Sequence, residues 1–114
     1  MPLVRVLTSQ PLPADPGSLL QRLTSVTAEQ LGKPPAYVMV RLEPTAPMYF
    51  AGSPEPCACV EVQGLGVPSP QQARGFIAGL TEAVASLGVP ADRVFVTYTS
   101  VPAELWGMRG RPLG

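Results

Sequence analysis

The chain has 114 residues, its eight basic and eight acidic side chains cancel, and only 14% of its residues are charged. That length fits one compact domain, and the charge balance leaves no basic stripe for nucleic acid and no polybasic or acidic tail. No apolar run approaches the roughly 18 residues of a membrane span, and the opening residues lack the charged region and long apolar core of a signal peptide. The expected location is therefore cytoplasmic, where thiols stay reduced.

In chain order, alternating β-branched residues predict a first strand over Leu3–Leu7. A helix follows, because Leu19, Leu20, Leu23, Val26, Thr27 and Leu31 recur every three or four residues. Asp15 caps it, Pro16 takes its opening position and Gly32 stops it. Strands are predicted next at Tyr37–Glu43 and Cys57–Val62. The second helix has its apolar stripe at Ala73, Phe76, Ile77, Leu80, Val84 and Leu87. Ser69 and Pro70 open it, Gln72 completes a capping box, and Gly88 ends it. A last strand spans Val94–Thr99. Each stop glycine is followed two residues later by proline, Pro34 or Pro90, and the 15 prolines fall mostly at such joints.

The order is strand–helix–strand, twice. Each unit takes a right-handed crossover with parallel strands. Two units side by side predict an α+β domain, a four-stranded mixed sheet with both helices on one face. Val4 and Val6, Val38, Val40 and Leu42, Ala58, Val60 and Val62, and Val94, Val96 and Tyr98 alternate onto the helix side. The other side holds Arg5, Met39, Arg41, Glu43, Cys57, Cys59, Glu61, Phe95 and Thr97. That face is too mixed for a dry core and too apolar for plain solvent. Packing against other copies of the chain suits it, and oligomerisation would help so small a domain; the alternative is a monomer with one wet sheet face.

The chain has no histidine and two cysteines. Ser-His-Asp and Cys-His catalysis are thereby excluded, and two thiols fall short of the four ligands of structural zinc. A general base must be a carboxylate, a lysine, a tyrosine, a cysteine or the chain's own amino terminus.

Four blocks narrow the choice. The opening Met1-Pro2-Leu3-Val4 resembles the start of the macrophage migration inhibitory factor and D-dopachrome tautomerase family. Gly32-Lys33-Pro34-Pro35-Ala36-Tyr37 is similar to that family's loop after the first helix. Phe50-Ala51-Gly52-Ser53-Pro54-Glu55-Pro56-Cys57-Ala58 resembles its lead into the third strand, and Pro90-Ala91-Asp92-Arg93-Val94-Phe95 its lead into the fourth. The blocks stand in family order from residue 2 to about residue 100.

The resemblance implies a tautomerase fold assembled as a homotrimer, with active sites between neighbouring subunits and no metal or organic cofactor. It implies that Pro2, once Met1 is removed, is the catalytic base for keto–enol exchange in phenylpyruvate-type α-keto acids. Desolvation and a nearby cation such as Lys33 would hold its amine below the ordinary range of roughly 7.7–8.0. Lys33 and the main chain at Leu65 are then expected to hold the substrate's carboxylate or carbonyl oxygen, with Leu3 as an apolar wall. Tyr37, Phe95 and Thr97 are the expected pocket wall. Phe95 and Thr97 stand where mammalian relatives have tyrosine and asparagine, so substrate preference is expected to differ.

The C-terminal stretch matches poorly. Trp106 and Met108 are expected to replace the family's pocket residues there, and Arg109 or Arg111 to assist carboxylate binding. Cys57-Ala58-Cys59 lacks the two-residue spacing of a redox motif, which argues against thiol chemistry. The competing readings are a cytokine-like binding protein with a vestigial pocket and a small regulatory domain of ferredoxin-like topology.

Overall fold

A computed structural model describes residues 1–114. Two strand–helix–strand units run in sequence: β1 (Leu3–Thr8), α1 (Pro16–Leu31) and β2 (Met39–Glu43), then β3 (Ala58–Gly64), α2 (Pro70–Val84) and β4 (Val94–Ser100). A small hairpin, β5 (Gly107–Met108) and β6 (Arg111–Pro112), closes the chain. The sheet order is β2-β1-β3-β4. Within each unit the strands are parallel, and β1 and β3 join the units antiparallel. The sheet is therefore mixed, as expected.

The helix caps are those read from the sequence. Asp15 accepts the Gly17 N–H, and Gly32 takes the left-handed conformation at φ 64°. Ser69 and Gln72 form the reciprocal capping box. The second stop differs slightly. α2 ends at Val84, and a 3-10 turn over Ala85–Leu87 tightens the chain before left-handed Gly88. The helices approach closely at Gly79, where a Cβ would come within 2.6 Å of Val26 Cγ1.

The core lies between helices and sheet. Val4, Val6, Val60 and Val62 meet Leu23, Phe76 and Leu80, all essentially without exposure. Burying one such side chain contributes roughly 1.5–3 kcal/mol. On the uncovered face Arg5 bridges Glu43 and Glu61 across β2-β1-β3. Met39 and Phe95 lie on the same face and are 67% and 61% exposed.

Two boundaries are corrected. Tyr37 and Val38 precede β2: Pro35–Tyr37 is a 3-10 turn, because the consecutive prolines fix φ and leave a tight turn as the compact route. Cys57 lies one residue before β3, buried, its carbonyl taking the Thr8 hydroxyl at 2.9 Å.

Candidate active site

The start of the chain is held inside the fold. Pro2 is buried, and its carbonyl accepts the Met39 N–H at 3.0 Å, which pins it beside β2. Antiparallel pairing sets Gln63 opposite Leu3. The turn at Gly64-Leu65-Gly66 therefore falls at the same end of the sheet. Lys33 arrives there from α1, because left-handed Gly32 turns the chain and Lys33 N–H closes on Ala28 at 2.9 Å.

Two cavities meet at Pro2. The larger, about 450 Å3, is mostly apolar, with Leu3, Tyr37, Met39, Trp106 and Met108 among its walls. The smaller, about 200 Å3, brings Lys33, Leu65, Gln72 and Tyr98 beside Pro2. A molecule with an aromatic part and an anionic part fits this division, the first against the apolar wall and the second near Lys33.

Met1 precedes Pro2 here, so the Pro2 nitrogen is an amide and the free amine belongs to Met1. That amine is held below its ordinary value, first by burial and second by the charge of Lys33. Met1 also lines the larger cavity. Removal of Met1 leaves a secondary amine on Pro2, where the two cavities meet.

The expected site residues divide into two groups. Pro2, Leu3, Lys33, Tyr37 and Leu65 come together, as do Trp106 and Met108 from the C-terminal stretch. Phe95 and Thr97 do not share a cavity with Pro2 within this chain. Thr97 lines a second cavity with Arg5 and Thr99, which shares Leu3 and Gln63 with the larger one. Phe95 pairs with Cys59, whereas Gln63, which lines the larger cavity with Pro2, pairs with Thr99. Those four residues of strand amount to about 13 Å. Arg109 and Arg111 are also displaced. They belong to the hairpin that the sequence reading missed, Arg109 at its turn with φ 56° and Arg111 in a groove away from Lys33.

Other residues were missed outright. Tyr98 was read as plain core, yet its hydroxyl donates to the Gly66 carbonyl at 2.9 Å beside Lys33's cavity. Gln63 is a polar residue among the mostly apolar walls of the larger cavity. Arg93 donates to the carbonyls of Phe50, Ser53, Glu55 and Pro56, at 2.9–3.1 Å, and lies over the Phe50 ring. The glycine at 64 was the available signal for Tyr98. Arg93 stands in the block before the fourth strand, but no local pattern announces its partners, which lie about 40 residues away.

The doubled strand–helix–strand unit, with its start buried at the mouth of two cavities, defines a tautomerase-fold α+β protein. The chain belongs to the macrophage migration inhibitory factor family, whose model matches residues 1–114. A solved macrophage migration inhibitory factor homologue from Prochlorococcus marinus is 40% identical, with a TM-score of 0.93 over 98% of this chain and 99% of that one. D-dopachrome decarboxylase of Gallus gallus is 36% identical over 108 residues, 93% of this chain and 90% of that protein. Macrophage migration inhibitory factor of Meriones unguiculatus is 32% identical over 96% of each chain. A further solved relative, inactivated by 2-oxo-3-pentynoate, is 25% identical with a TM-score of 0.85, over 97% of this chain and 96% of that one. Membership supports a tautomerase-type activity or a cytokine-like role.

Proposed function

We propose that the chain, freed of Met1, is a keto–enol tautomerase acting on phenylpyruvate-type α-keto acids. The observation that carries this reading is the position of Pro2 between an apolar cleft and a cavity holding Lys33. The aryl group of the substrate occupies the larger cavity. Its carboxylate lies with Lys33 and the Leu65 main chain, which also stabilise charge in the enolate-like state. The reacting carbon and oxygen then lie between, within reach of the Pro2 amine. Pro2 takes a proton from one and returns it to the other. The relative inactivated by 2-oxo-3-pentynoate, itself an α-keto acid, supports this substrate class.

The working unit is a homotrimer in this reading. The exposed apolar Met39 and Phe95 on the uncovered face support it. A neighbour's Phe95 and Thr97 would then complete the wall that one subunit leaves open. The test is ketonisation of phenylenolpyruvate, followed by ultraviolet absorbance, for Met1-free protein and its Pro2→Gly variant. A fast rate that collapses in the variant supports the reading. No rate above buffer, with the proline confirmed free by mass, rejects it and favours the cytokine-like alternative. The apolar and hydroxyl side chains of Phe95 and Thr97 at the expected wall speak for that alternative.

A further inference from the structure

Three observations converge on the turn after β3. First, the Gly64 carbonyl accepts the Val101 N–H at 2.9 Å, and a trans peptide points its N–H opposite to its C=O. The Leu65 N–H is thereby aimed away from Val101, and it donates to none of the chain's carbonyls. Second, the Tyr98 hydroxyl donates to Gly66 O at 2.9 Å and lies 3.5 Å from Leu65 O, so it holds the next two peptides. Third, position 64 has no room for a side chain. A Cβ there would come within 2.4 Å of the Tyr98 hydroxyl and 3.1 Å of its ring carbon Cζ. The ring itself is fixed from behind by Phe76 of α2, with centroids 5.7 Å apart. Burial raises the Tyr98 pKa, so the hydroxyl stays protonated and remains a donor.

We infer that Tyr98 is a positioning residue for anion recognition: lodged against Gly64, it braces the 64–66 turn so that the Leu65 N–H and Lys33 face one carboxylate. The inference rests on the proposed carboxylate subsite. Tyr98 lines the same cavity as Lys33, and with its hydroxyl spent on the Gly66 carbonyl the role assigned to it is one exerted through the main chain. An unbraced turn samples orientations in which the N–H points elsewhere, and the anion alone suffers.

The test uses binding rather than turnover. Trp106, the chain's single tryptophan, lines the larger cavity, so its fluorescence reports occupancy. Phenylpyruvate and its methyl ester are titrated into Met1-free wild type, Tyr98→Phe, Gly64→Ala and the double variant. Tyr98→Phe keeps the ring on Phe76 and loses only the hydroxyl. Affinity for the acid is expected to fall about three- to tenfold, the worth of one hydrogen bond, with the ester unaffected. Gly64→Ala should weaken the acid at least as much. Adding Tyr98→Phe should then recover part of that loss, because the 2.4 Å conflict is with the deleted oxygen. Unchanged acid affinity in Tyr98→Phe, equal losses for acid and ester, or strictly additive variants would each overturn the brace. A wild type that binds acid and ester equally would remove the carboxylate subsite and the brace with it. A wild type that prefers the acid but turns nothing over leaves the brace standing and rejects only the tautomerase reading.

Discussion

The two ends of the sheet are built differently. At the end where β1 finishes and β3 and β4 begin, polar groups are tied off. The Thr8 hydroxyl and the Ser9 N–H both close on Cys57 O, Ser9 Oγ takes the Cys57 N–H, and Ala46 N–H bonds Thr8 O. Arg93 gathers four carbonyls of the 50–56 loop. At the other end, where β1 starts and β3 and β4 finish, there are two cavities, a left-handed Gly66 and the unpaired Leu65 N–H. One end is closed by side chains that reach back to the main chain. The other leaves main chain and a terminal amine available to a ligand. A rigid far end allows a small domain to keep its near end open.

If that contrast is right, substitutions at the open end move activity and substitutions at the closed end move stability. The largest expected effect is Pro2→Gly in Met1-free protein, a loss of at least about a hundredfold in kcat/KM with the unfolding midpoint little changed. Stopped-flow ketonisation and urea unfolding on one sample measure both. Arg93→Ala is next and opposite in kind. It should cost about 2–4 kcal/mol in urea unfolding, since four carbonyls lose one fork of donors. Arg93→Lys should recover only part, because an ammonium cannot span them all.

Lys33→Ala should raise KM about tenfold and also move the pH profile. The sign follows from the amine, whose neutral form is the base: burial and then the Lys33 charge keep the Met1 amine below its usual range, and the same two causes should act on the Pro2 amine once Met1 is removed. Activity should therefore rise to its plateau below the ordinary α-amino range of about 7.7–8.0, and removing the lysine should shift the midpoint upward. A midpoint unmoved in Lys33→Ala would break the assignment of Lys33 to the amine's surroundings. The smallest effect is Ser69→Ala, a lost helix cap worth about 1 kcal/mol in unfolding. It should leave the closed end intact, as amide exchange at Thr8 and Cys57 would report.

The fold was legible because caps, stops and alternation carry it locally: Asp15 with Gly32, Ser69 with Gln72, and the valines of β1, β3 and β4. The halves of the site near Pro2 were legible only through family resemblance, since nothing in a lysine after a glycine specifies what it faces. What escaped is what depends on distance. Tyr98 meets Gly66 across 32 residues, and Arg93 meets Phe50 across 43. The hairpin at Gly107–Pro112 escaped for another reason. Its turn places Arg109 at φ 56° and Gly110 at φ 76°, and arginine is not the residue such a turn usually announces. Phe95 and Thr97 are expected at the pocket wall, and in this chain Phe95 lies four residues, about 13 Å of strand, from Thr99, the partner of cavity-lining Gln63.

The terminal amine also offers a way to count protons. The chain has no imidazole, the side chain that ordinarily titrates between pH 5 and 8. An anion seated beside the amine favours its protonated form, so binding a keto acid near neutral pH should draw a proton from the buffer. The heat of binding measured in buffers of different ionisation enthalpy then gives that proton number. With no histidine to blur it, the number reports the amine's own state, and it should fall to zero once the amine is acetylated.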